Sequence, residues 1–525
     1  MLLNVQKLEG YIMKNFVKSV LYVALSSLFV LCSWTMVSAA PKGTATIAVP
    51  FDMGVNLFNA KSDREQSGIW QIYSTLTVPN MTGTDRVPYL AKSWKLGNEG
   101  KSIEINMDER ARFSNGDPVT CHDVKFSWQQ WQAGKGTFRN VAMKIQDIQI
   151  NSDTNCVFHL KRPDADWKWE IMRMQIASKN YFEKVGEKQF AKKPMGSGPY
   201  RFVKRIPGTS FELEAVDNHW FHTPDFKTMK LMIVPDPVTR MALLEKGTVD
   251  MTFPVDPSHV ARLEKSKKIK VKTASVPSLN ALSFNSFSHD VMADRNLRLA
   301  INHAIDRQEI CDEIFFGKCY PMYYFTSRAE VGFDPSIRYE FDPDKARELV
   351  KKSSYKPGTP LKLVYSSGLP SGNLVTTAVQ DYLKKVGITV KLQKMERATY
   401  LKLAARKDPK IGELPMVSWA GGKSPTSRLF LGLMTKGKEG PAGMYTNWKG
   451  REQIDKLIMF QSVQINEKKR VAVLRKIAGM THQDPAYAAL FGLPMIYALS
   501  DRIDYDWPEN VSGQPFNLYT IKRLK

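Results

Sequence analysis

The sequence predicts an α/β protein, because stretches with the period of a strand alternate with stretches that have the period of a helix. Residues Leu279 to Phe284 place apolar side chains between small or polar ones, which is typical of a short strand. After Asp294 the apolar residues recur on one helical face, at Leu297, Ala300, Ile301, Ala304 and Ile305. Asp306 and Glu309 then have the spacing of a capping box that opens a second helix, which Gly317 would end.

The amino-terminal half contains further short strands. Alternating patterns predict them at Thr44 to Val49, Ile103 to Met107, Ile145 to Ile150 and Cys156 to Leu160. A loop rich in Gly, Asn and Asp follows the first of these strands, over residues 51 to 59. A helical pattern at 123 to 131 lies between the second and third strands.

The carboxy-terminal half alternates helix and strand, as an α/β lobe does. Amphipathic helices are predicted at Asp344 to Lys352, Leu374 to Val386 and Ile454 to Ile465, and strands at Leu361 to Tyr365 and Ile388 to Leu392. The apolar run from Ala486 to Leu499 is too short to span a membrane and is predicted to be a buried strand.

The first 39 residues are typical of an export signal. Lysines precede an apolar run from Val20 to Leu31, and the small residues that end at Ala39 predict cleavage there. A membrane anchor is the alternative, but the run is shorter than the roughly 18 to 20 residues that a spanning helix needs. Lipid attachment at Cys32 is disfavoured by the bulky Leu31 before it. We therefore expect a soluble periplasmic protein.

The four cysteines beyond the signal are Cys121, Cys156, Cys311 and Cys319. In an oxidising compartment an even number of cysteines favours disulfides, and four allow three pairings. Pairing Cys121 with Cys156 and Cys311 with Cys319 closes two local loops and is the preferred pattern. Buried free thiols are the alternative.

The chain is strongly basic, with a formal net charge of +23. The first 39 residues carry three lysines and one glutamate, a net of +2, which leaves +21 on the remainder. Such a charge favours nucleic-acid binding in a cytoplasmic protein. The export signal, the dispersed basic residues and the lack of a nucleic-acid-binding motif argue against that function. A solvated basic surface and a field that attracts anionic solutes are the two remaining interpretations.

Several segments together resemble one family. The clearest, FNSFSHDVMADRNLRLAINHAIDRQEI at 284–310, is similar to the start of the second lobe in extracytoplasmic solute-binding proteins of peptide and nickel ABC importers, bacterial solute-binding family 5. Other segments follow the family's order over almost the whole mature chain: SWKLGNEGKSIEINMDERARFSNGDPVTCHDVKFSW (93–128), GSGPYRF (196–202), VDNHWFHTPDFKTMKLMIVPD (216–236), LLEKGTVDM (243–251), FDPDKARELV (341–350), VSWAGG (417–422) and IDKLI (454–458).

This resemblance implies the fold and the domain plan. The fold would be an α/β, two-lobe periplasmic binding protein of type II, in the large three-domain class, with a hinged cleft. The implied parts are a signal peptide at 1–39, a first lobe from 40–85, 210–283 and 500–525, an inserted extra domain at 86–209 and a second lobe at 284–499.

The resemblance also implies the function. The protein would capture a peptide or a peptide-like small solute between its lobes and deliver it to the permease of an ABC importer. It would act as a monomer, without a cofactor, a metal, a nucleic-acid partner or a catalysed reaction. The alternatives are binding of a non-peptide anionic solute, an opine or a metal chelate, or service as a chemoreceptor-linked sensing subunit.

The expected ligand site centres on Trp419. In peptide-binding relatives the matching segment pairs its backbone with an extended peptide, and an Asp three residues after the Trp holds the peptide's ammonium. This chain has Gly422 at that position, between Gly421 and Lys423. An ammonium removed from water needs a charged partner, so loss of the carboxylate disfavours ordinary peptides unless another acid, such as Asp52, replaces it. Lys423 would favour a carboxylate or phosphate.

Other ligand contacts are expected from their places in the family's segments. They are Phe51, Asp52, Asn56, Ser278, Asn280, Tyr400 and Arg428. For each of them, packing or surface placement is an alternative reading of the same position.

Enzyme motifs are weak. His219 and His222 share a short segment, but no HExxH or CxxC accompanies them. Ser353 and Lys356 match SxxK, yet lie in a polar loop without the partner motifs of that enzyme class. No GxSxG nucleophile elbow is found. The sequence therefore predicts a binding protein and no catalytic residues.

Overall fold

Two large β-sheets, one of seven strands and one of six, organise the chain beyond the predicted export signal. The computed structural model describes residues 40–60, 62, 65–367, 369, 371–406, 408–420, 422, 424–434, 451–511 and 517–524, with only the backbone described at 405, 406 and 420. The predicted export signal, Gly421 and Lys423 thus lie outside the described residues.

The seven-stranded sheet is built around Thr44–Val49, which pairs in parallel with Thr228–Ile233 and Met251–Thr252. Ala45, Ile47 and Val49 join the large core on one face, whereas Ala48 packs into a smaller core on the other. A central strand in parallel pairs needs both faces covered, which explains its nearly continuous apolar sequence. The strands run in the spatial order Ile269–Ala274, Met495–Ser500, Met251–Thr252, Thr44–Val49, Thr228–Ile233, Ser210–Ala215 and Tyr200–Ile206.

A four-stranded antiparallel sheet lies between the first and later strands of that sheet in the sequence. Its spatial order is Ala91–Gly97, Ser102–Met107, Asn155–Leu160 and Ile145–Ile150. Helix Cys121–Ala133 packs against it and begins with a reciprocal capping box between Thr120 and Asp123. The strands and the helix predicted in this region are confirmed, with ends shifted by one or two residues. Their buried side chains continue the core of the seven-stranded sheet.

The six-stranded sheet has Ser278–Ser283 near its centre, antiparallel to both Leu414–Ala420 and Tyr487–Gly492. Its spatial order is Tyr320–Pro321, Tyr487–Gly492, Ser278–Ser283, Leu414–Ala420, Leu361–Ser366 and Val390–Met395. Helix Arg295–Ala304 lies against it, and Asp294 caps that helix by accepting from the amides of Asn296 and Leu297. The predicted apolar stripe of this helix is buried in the second core.

The second predicted helix after Asp294 differs from expectation. Arg307–Glu309 forms only a short α-helical turn, and Ile310–Ile314 continues it as a π-helical turn. Asp306 accepts from the Gln308 and Glu309 amides as predicted. The Glu309 carboxylate, however, accepts a hydrogen bond from the Tyr382 hydroxyl at 2.5 Å, on a neighbouring helix. A tertiary contact thus takes the carboxylate that the sequence pattern assigned to the cap.

The other helices agree with the predicted pattern of an α/β protein. Those described are Arg139–Ala142, Trp167–Glu170, Lys179–Lys192, Pro237–Glu245, Pro257–Leu263, Pro343–Lys351, Gly372–Lys385, Arg397–Arg406, Thr426–Arg428, Arg451–Val463 and Glu467–Gln483. Two short strand pairs complete the described structure, Thr77–Pro79 with Arg86–Pro88 and Ile503–Asp504 with Lys522–Arg523. Within the described part of the chain, no helix is long and apolar enough to cross a bilayer.

The apolar run at 486–499 forms two strands in different sheets. Tyr487–Gly492 belongs to the six-stranded sheet, and Met495–Ser500 to the seven-stranded one. Pro494 lies between them and has no N–H to donate to a ladder, which suits a point where the chain leaves one sheet for another. The domain boundaries given above stay a prediction.

The cysteines adopt two states. Cys311 and Cys319 form a disulfide across the turn that follows the π-helical segment. Cys121 and Cys156 are buried and free, with their sulfur atoms 2.7 Å apart. A second disulfide between them stays a prediction.

Candidate functional site

The strand Leu414–Ala420 has one edge that is only partly occupied. One edge pairs with Ser278–Ser283 from Met416 to Ala420. The other edge pairs with Leu361–Ser366 only at Leu414 and Pro415. Among the described residues, no strand pairs with this second edge beyond Pro415. Backbone amide and carbonyl groups at such an edge are a template for an added extended chain.

Trp419 stands next to the end of this strand. Its side chain is half-buried, and its ring centre lies 5.8 Å from that of Tyr487 in an edge-to-face arrangement. A Cβ atom on Gly432 would lie 3.4 Å from the Cη2 atom of Trp419. The indole is therefore held on two sides while part of it stays accessible, as an aromatic wall of a ligand site would be.

Two of the other predicted residues flank the strand partner of Trp419, and a third, Tyr400, contacts the same strand. Ser278 and Asn280 are on the adjacent strand, where Ser278 pairs with Ala420 and Asn280 with Ser418. The Ser278 hydroxyl donates to the Leu493 carbonyl at 2.9 Å, at the crossing between the two sheets. The buried Tyr400 hydroxyl donates to the Met416 carbonyl at 2.8 Å, just past the last residue paired with Leu361–Ser366.

Arg428 is deeply buried. Its side chain is 2% exposed and forms an ion pair with Glu330, which is fully buried. The Nε and Nη1 atoms of Arg428 have no hydrogen-bond partner among the described residues. Burial raises the pKa of the Glu330 carboxyl, and the nearby guanidinium opposes that rise only in part. A direct ligand contact by Arg428 stays a prediction.

Phe51, Asp52 and Asn56 lie in the loop after Thr44–Val49, on the seven-stranded sheet. The Asp52 carboxylate forms an ion pair with Arg205 at 2.7 Å and accepts from the Gly208 amide at 2.9 Å. Partial burial acts to raise the pKa of Asp52, but these hydrogen bonds outweigh it and lower the pKa below its ordinary value. The carboxylate of Asp52 is thus committed within its own lobe.

A polar network joins the two lobes close to Trp419. The guanidinium of Arg470, on helix Glu467–Gln483, contacts the Asp166 carboxylate at 2.8 Å and the Ala165 carbonyl at 3.0 Å. Asp166 and Ala165 precede helix Trp167–Glu170, whose neighbours pack with the core of the seven-stranded sheet. Both charged side chains are at most 7% exposed. The pair therefore bridges the lobes in a largely dry contact.

The same guanidinium holds the segment after Gly422. Arg470 donates to the hydroxyls of Ser424 at 2.7 Å and Thr426 at 2.9 Å, and to the Gln461 side-chain oxygen at 3.2 Å. Ser424 in turn donates to Asp166 at 3.2 Å. We call Arg470, Asp166, Ala165, Ser424, Thr426 and Gln461 the interlobe network. It fixes the segment that leaves the Trp419 strand against the opposite lobe.

Sequence reasoning missed the interlobe network because its members are far apart in the chain. Asp166 and Arg470 are separated by 304 positions. Neither belongs to a segment with a recognisable ligand-binding pattern. The one local signal is Arg470 itself. It is buried on helix Glu467–Gln483 together with Leu474 and Ile477, at a position where an apolar residue is expected.

One of the two histidines considered as metal ligands, His219, has a structural role. His219 is buried, lies 2.8 Å from the Ser197 carbonyl through Nε2 and accepts from the amides of Phe221 and His222 through Nδ1. Burial lowers the pKa of His219 to about 4, so the ring is neutral. Among the described residues, no three His, Cys, Asp or Glu side chains are grouped as a metal site.

Comparison with known proteins identifies the family. Residues 85–440 match the model of the bacterial extracellular solute-binding proteins, family 5 Middle. The dipeptide-binding protein of Escherichia coli is 22% identical over 472 residues, which cover 83% of this chain and 86% of that protein.

Solved structures show the same fold. The periplasmic binding protein DppA from Helicobacter pylori, in complex with the peptide STSA, has a TM-score of 0.76 at 21% identity, covering 93% of this chain and 99% of that one. NikZ from Campylobacter jejuni, in complex with Ni(L-His), has a TM-score of 0.79 at 18% identity, covering 92% and 100%. The family match spans more than half of the sequence, so this chain belongs to the family 5 bacterial extracellular solute-binding proteins.

Proposed function

We propose that this protein is the solute-receiving component of an ABC importer. It captures a peptide or peptide-like solute between its two lobes and delivers it to the membrane-embedded permease. The protein acts by binding and conformational closure, without a chemical step.

The open edge of Leu414–Ala420 carries the proposal of a peptide-like ligand. Beyond Pro415 this edge has no paired strand among the described residues, and Trp419 flanks it. An extended peptide would supply the missing main-chain partners, with side-chain pockets adding specificity. The dipeptide-binding and peptide-bound relatives support the same class of solute.

Closure follows from binding at a seam between lobes. A solute shifts the protein toward the closed form only by contacting that form better than the open one. The interlobe network lies next to the solute-binding edge, so contacts between the lobes and contacts with the solute form together. The permease would then distinguish the closed, loaded form from the open one.

A non-peptide solute is the second candidate, and Gly422 favours it. This residue offers no side chain to hold an ammonium, and it is exposed. The Ni(L-His) complex of NikZ shows that a protein of this fold binds a different class of solute. An anionic metabolite, an opine or a metal chelate would then occupy the cleft.

Native mass spectrometry of the purified protein, followed by calorimetry, tests the proposal. We expect a co-purified or added small solute to bind with one-to-one stoichiometry and to reduce the radius of gyration in solution scattering. Trp419→Ala should weaken that binding. Phe341→Ala, which removes a 44%-exposed aromatic side chain elsewhere in the second lobe, is the matched control. Turnover of a solute, or a radius of gyration that no bound solute reduces, would contradict the proposal.

A further inference from the structure

Ile465 packs against the opposite lobe. It lies in residues 464–466, which connect helices Arg451–Val463 and Glu467–Gln483 of the second lobe, and its side chain is half-buried. It is not part of any of the three hydrophobic cores formed by the described residues. The atoms nearest to a Cβ built on Gly100 are Cδ1 and Cγ1 of this isoleucine. The Ile465 side chain therefore fills the space that a side chain at position 100 would occupy.

Gly100 ends a strained turn. The turn Asn98–Gly100 joins two strands of the four-stranded sheet, Ala91–Gly97 and Ser102–Met107. Its three φ angles are 45°, 50° and 88°, all in the left-handed region, which costs energy at the two residues before the glycine. Strained backbone of this kind persists only where the surrounding structure fixes it, and it is common at switch regions.

Pro163 forms the second side of the space at Gly100. The Cβ atom of Pro163 would lie 3.4 Å from the Cβ built on Gly100. The segment after Pro163 is held within its own lobe, because the buried Asp164 carboxylate forms an ion pair with Lys144 at 2.7 Å and accepts from the Asp166 amide at 2.9 Å. We call the turn Asn98–Gly100 together with Pro163 the Gly100 notch. Ile465 occupies it.

Backbone hydrogen bonds accompany this apolar contact. The Ala165 amide donates to the Ser462 carbonyl at 2.8 Å, and the Ala165 carbonyl accepts from Arg470 at 3.0 Å. Both backbone groups of Ala165 thus have their partners in the second lobe. Separating the lobes would return these groups to water and expose Ile465, so the polar and apolar contacts are made and broken together. None of these residues belongs to the strand Leu414–Ala420.

We infer that Ile465 in the Gly100 notch is a latch, which stabilises the closed arrangement of the lobes without touching the solute and requires glycine at position 100. The inference rests on the proposed function, because a latch matters only in a protein that closes. A contact that stabilises the closed form raises the fraction of protein competent to hold a solute, so it raises the affinity for every solute by the same factor. A residue that contacts the solute would affect different solutes unequally.

The first test follows hydrogen exchange at the Ala165 amide in solute-free protein. We expect this amide to be protected in wild-type protein. Gly100→Ala places a methyl group where Ile465 lies and should speed the exchange by about tenfold. Gly116→Ala is the matched control, because Gly116 has a φ of 92° and a Cβ built there meets nothing within 4 Å. Both variants should lose a similar amount of unfolding stability, but the control should leave Ala165 exchange unchanged.

A double variant tests whether Ile465 is the residue that fills the notch. Ile465→Ala empties the notch and should also speed Ala165 exchange, by less than Gly100→Ala does. Combining the two substitutions should give exchange no faster than Ile465→Ala alone, because the new methyl group then has room. Effects that multiply would show that the two positions act independently, and would overturn the latch.

Calorimetry tests the latch through the solute. The probes are Ala-Ala, Met-Leu and Ni(L-His), which differ in charge and shape. Gly100→Ala should lower the affinity of each probe that binds wild-type protein by one common factor, about tenfold, and Gly116→Ala should not. Trp419→Ala, at the proposed solute-binding edge, should change the probes by unequal factors.

Each outcome has a distinct meaning. An unprotected Ala165 amide in wild-type protein, or exchange that Gly100→Ala and Gly116→Ala change equally, overturns the latch, and the proposed function stands. Unequal losses of affinity among the probes in Gly100→Ala also overturn it, because they place residue 100 in contact with the solute. Failure of every solute to bind or to reduce the radius of gyration overturns the proposed function, whereas Ala165 exchange still decides whether Ile465 holds the lobes together.

Discussion

Two buried arginine–carboxylate pairs in this protein differ in how many hydrogen bonds they make with surrounding residues. Arg470 and Asp166 connect the lobes, and the guanidinium donates to one carboxylate, one carbonyl and several side chains. Arg428 and Glu330 lie inside the second lobe, and two guanidinium nitrogens have no partner among the described residues. Hydrogen bonds within the protein replace the water that the first pair loses on burial. For the second pair they replace that water only in part.

This difference separates a conformational role from a structural one. A buried ion pair is favourable only when further hydrogen bonds satisfy its remaining donors and acceptors. The interlobe pair meets that condition when the lobes are together, so its energy is linked to closure. The Arg428 and Glu330 pair has no such link, and removing either partner leaves an uncompensated charge in the core.

The largest expected effect comes from breaking the inner pair. Glu330→Gln keeps the size of the side chain but leaves the Arg428 charge unpaired, and should lower the free energy of unfolding by about 3 to 5 kcal/mol. Denaturant titration followed by circular dichroism measures this loss. Replacing both residues by methionine should return stability to within about 1 kcal/mol of wild type, or raise it. A double variant as unstable as Glu330→Gln would show that the pair contributes more to stability than the neutralisation of its two charges.

A smaller effect is expected from the interlobe pair, and it should appear in closure. Arg470→Met removes the hydrogen bonds that span the lobes and should cost the closed form about 2 kcal/mol, a roughly thirtyfold loss of solute affinity. Calorimetry and the radius of gyration from solution scattering measure it. Lys469→Met, at the exposed neighbouring position, is the matched control. Unchanged affinity with reduced unfolding stability would make the network a structural contact like the inner pair.

The smallest effect belongs to a third, half-buried pair, which joins His289 to Glu413. His289 Nδ1 lies 2.9 Å from the Glu413 carboxylate, which raises the pKa of His289. Burial acts to raise the pKa of Glu413, but hydrogen bonds from His289 and from the Lys362 amide outweigh it and lower that pKa. The two shifts define the pH range in which both groups are charged.

The sign of the pH dependence follows from these directions. The contribution of His289 is fully present below the unfolded histidine pKa of about 6.5 and is lost as pH rises through its raised folded pKa. The contribution of Glu413 is present above an unfolded pKa of about 4.3 and is lost as pH falls through its lowered folded pKa. His289→Asn should therefore reduce stability more at about pH 5.5 than at pH 8.5, by about 1 kcal/mol or less. Unfolding at the two pH values measures this, with His259→Asn as the control; an equal loss at both would show that the histidine acts by packing alone.

Much of the local structure was predictable from short-range patterns. The stripe that begins after Asp294 specifies helix Arg295–Ala304, because its apolar residues have the helical period and Asp294 satisfies the first free amides. The predicted strand at Thr44 to Val49 is observed with the same ends. Each signal depends only on residues a few positions apart, so it can be recognised without knowing how the chain folds.

The candidate site was predictable only where it lies on two adjacent strands. Trp419, Ser278 and Asn280 were found from family segments, and the structure places them on adjacent strands. Asp52 was considered as the replacement acid, but Arg205 and Gly208 engage it.

The sequence by itself determined the family, the α/β class and the bounds of most elements, because hydrophobic period, capping and turn chemistry are local. Tertiary structure alone decided that the apolar run at 486–499 divides between two sheets and that Arg470 meets Asp166 across 304 positions. These contacts depend on where distant segments come together in space, and the energy of a buried charge depends on the partners it meets there rather than on its neighbours in sequence.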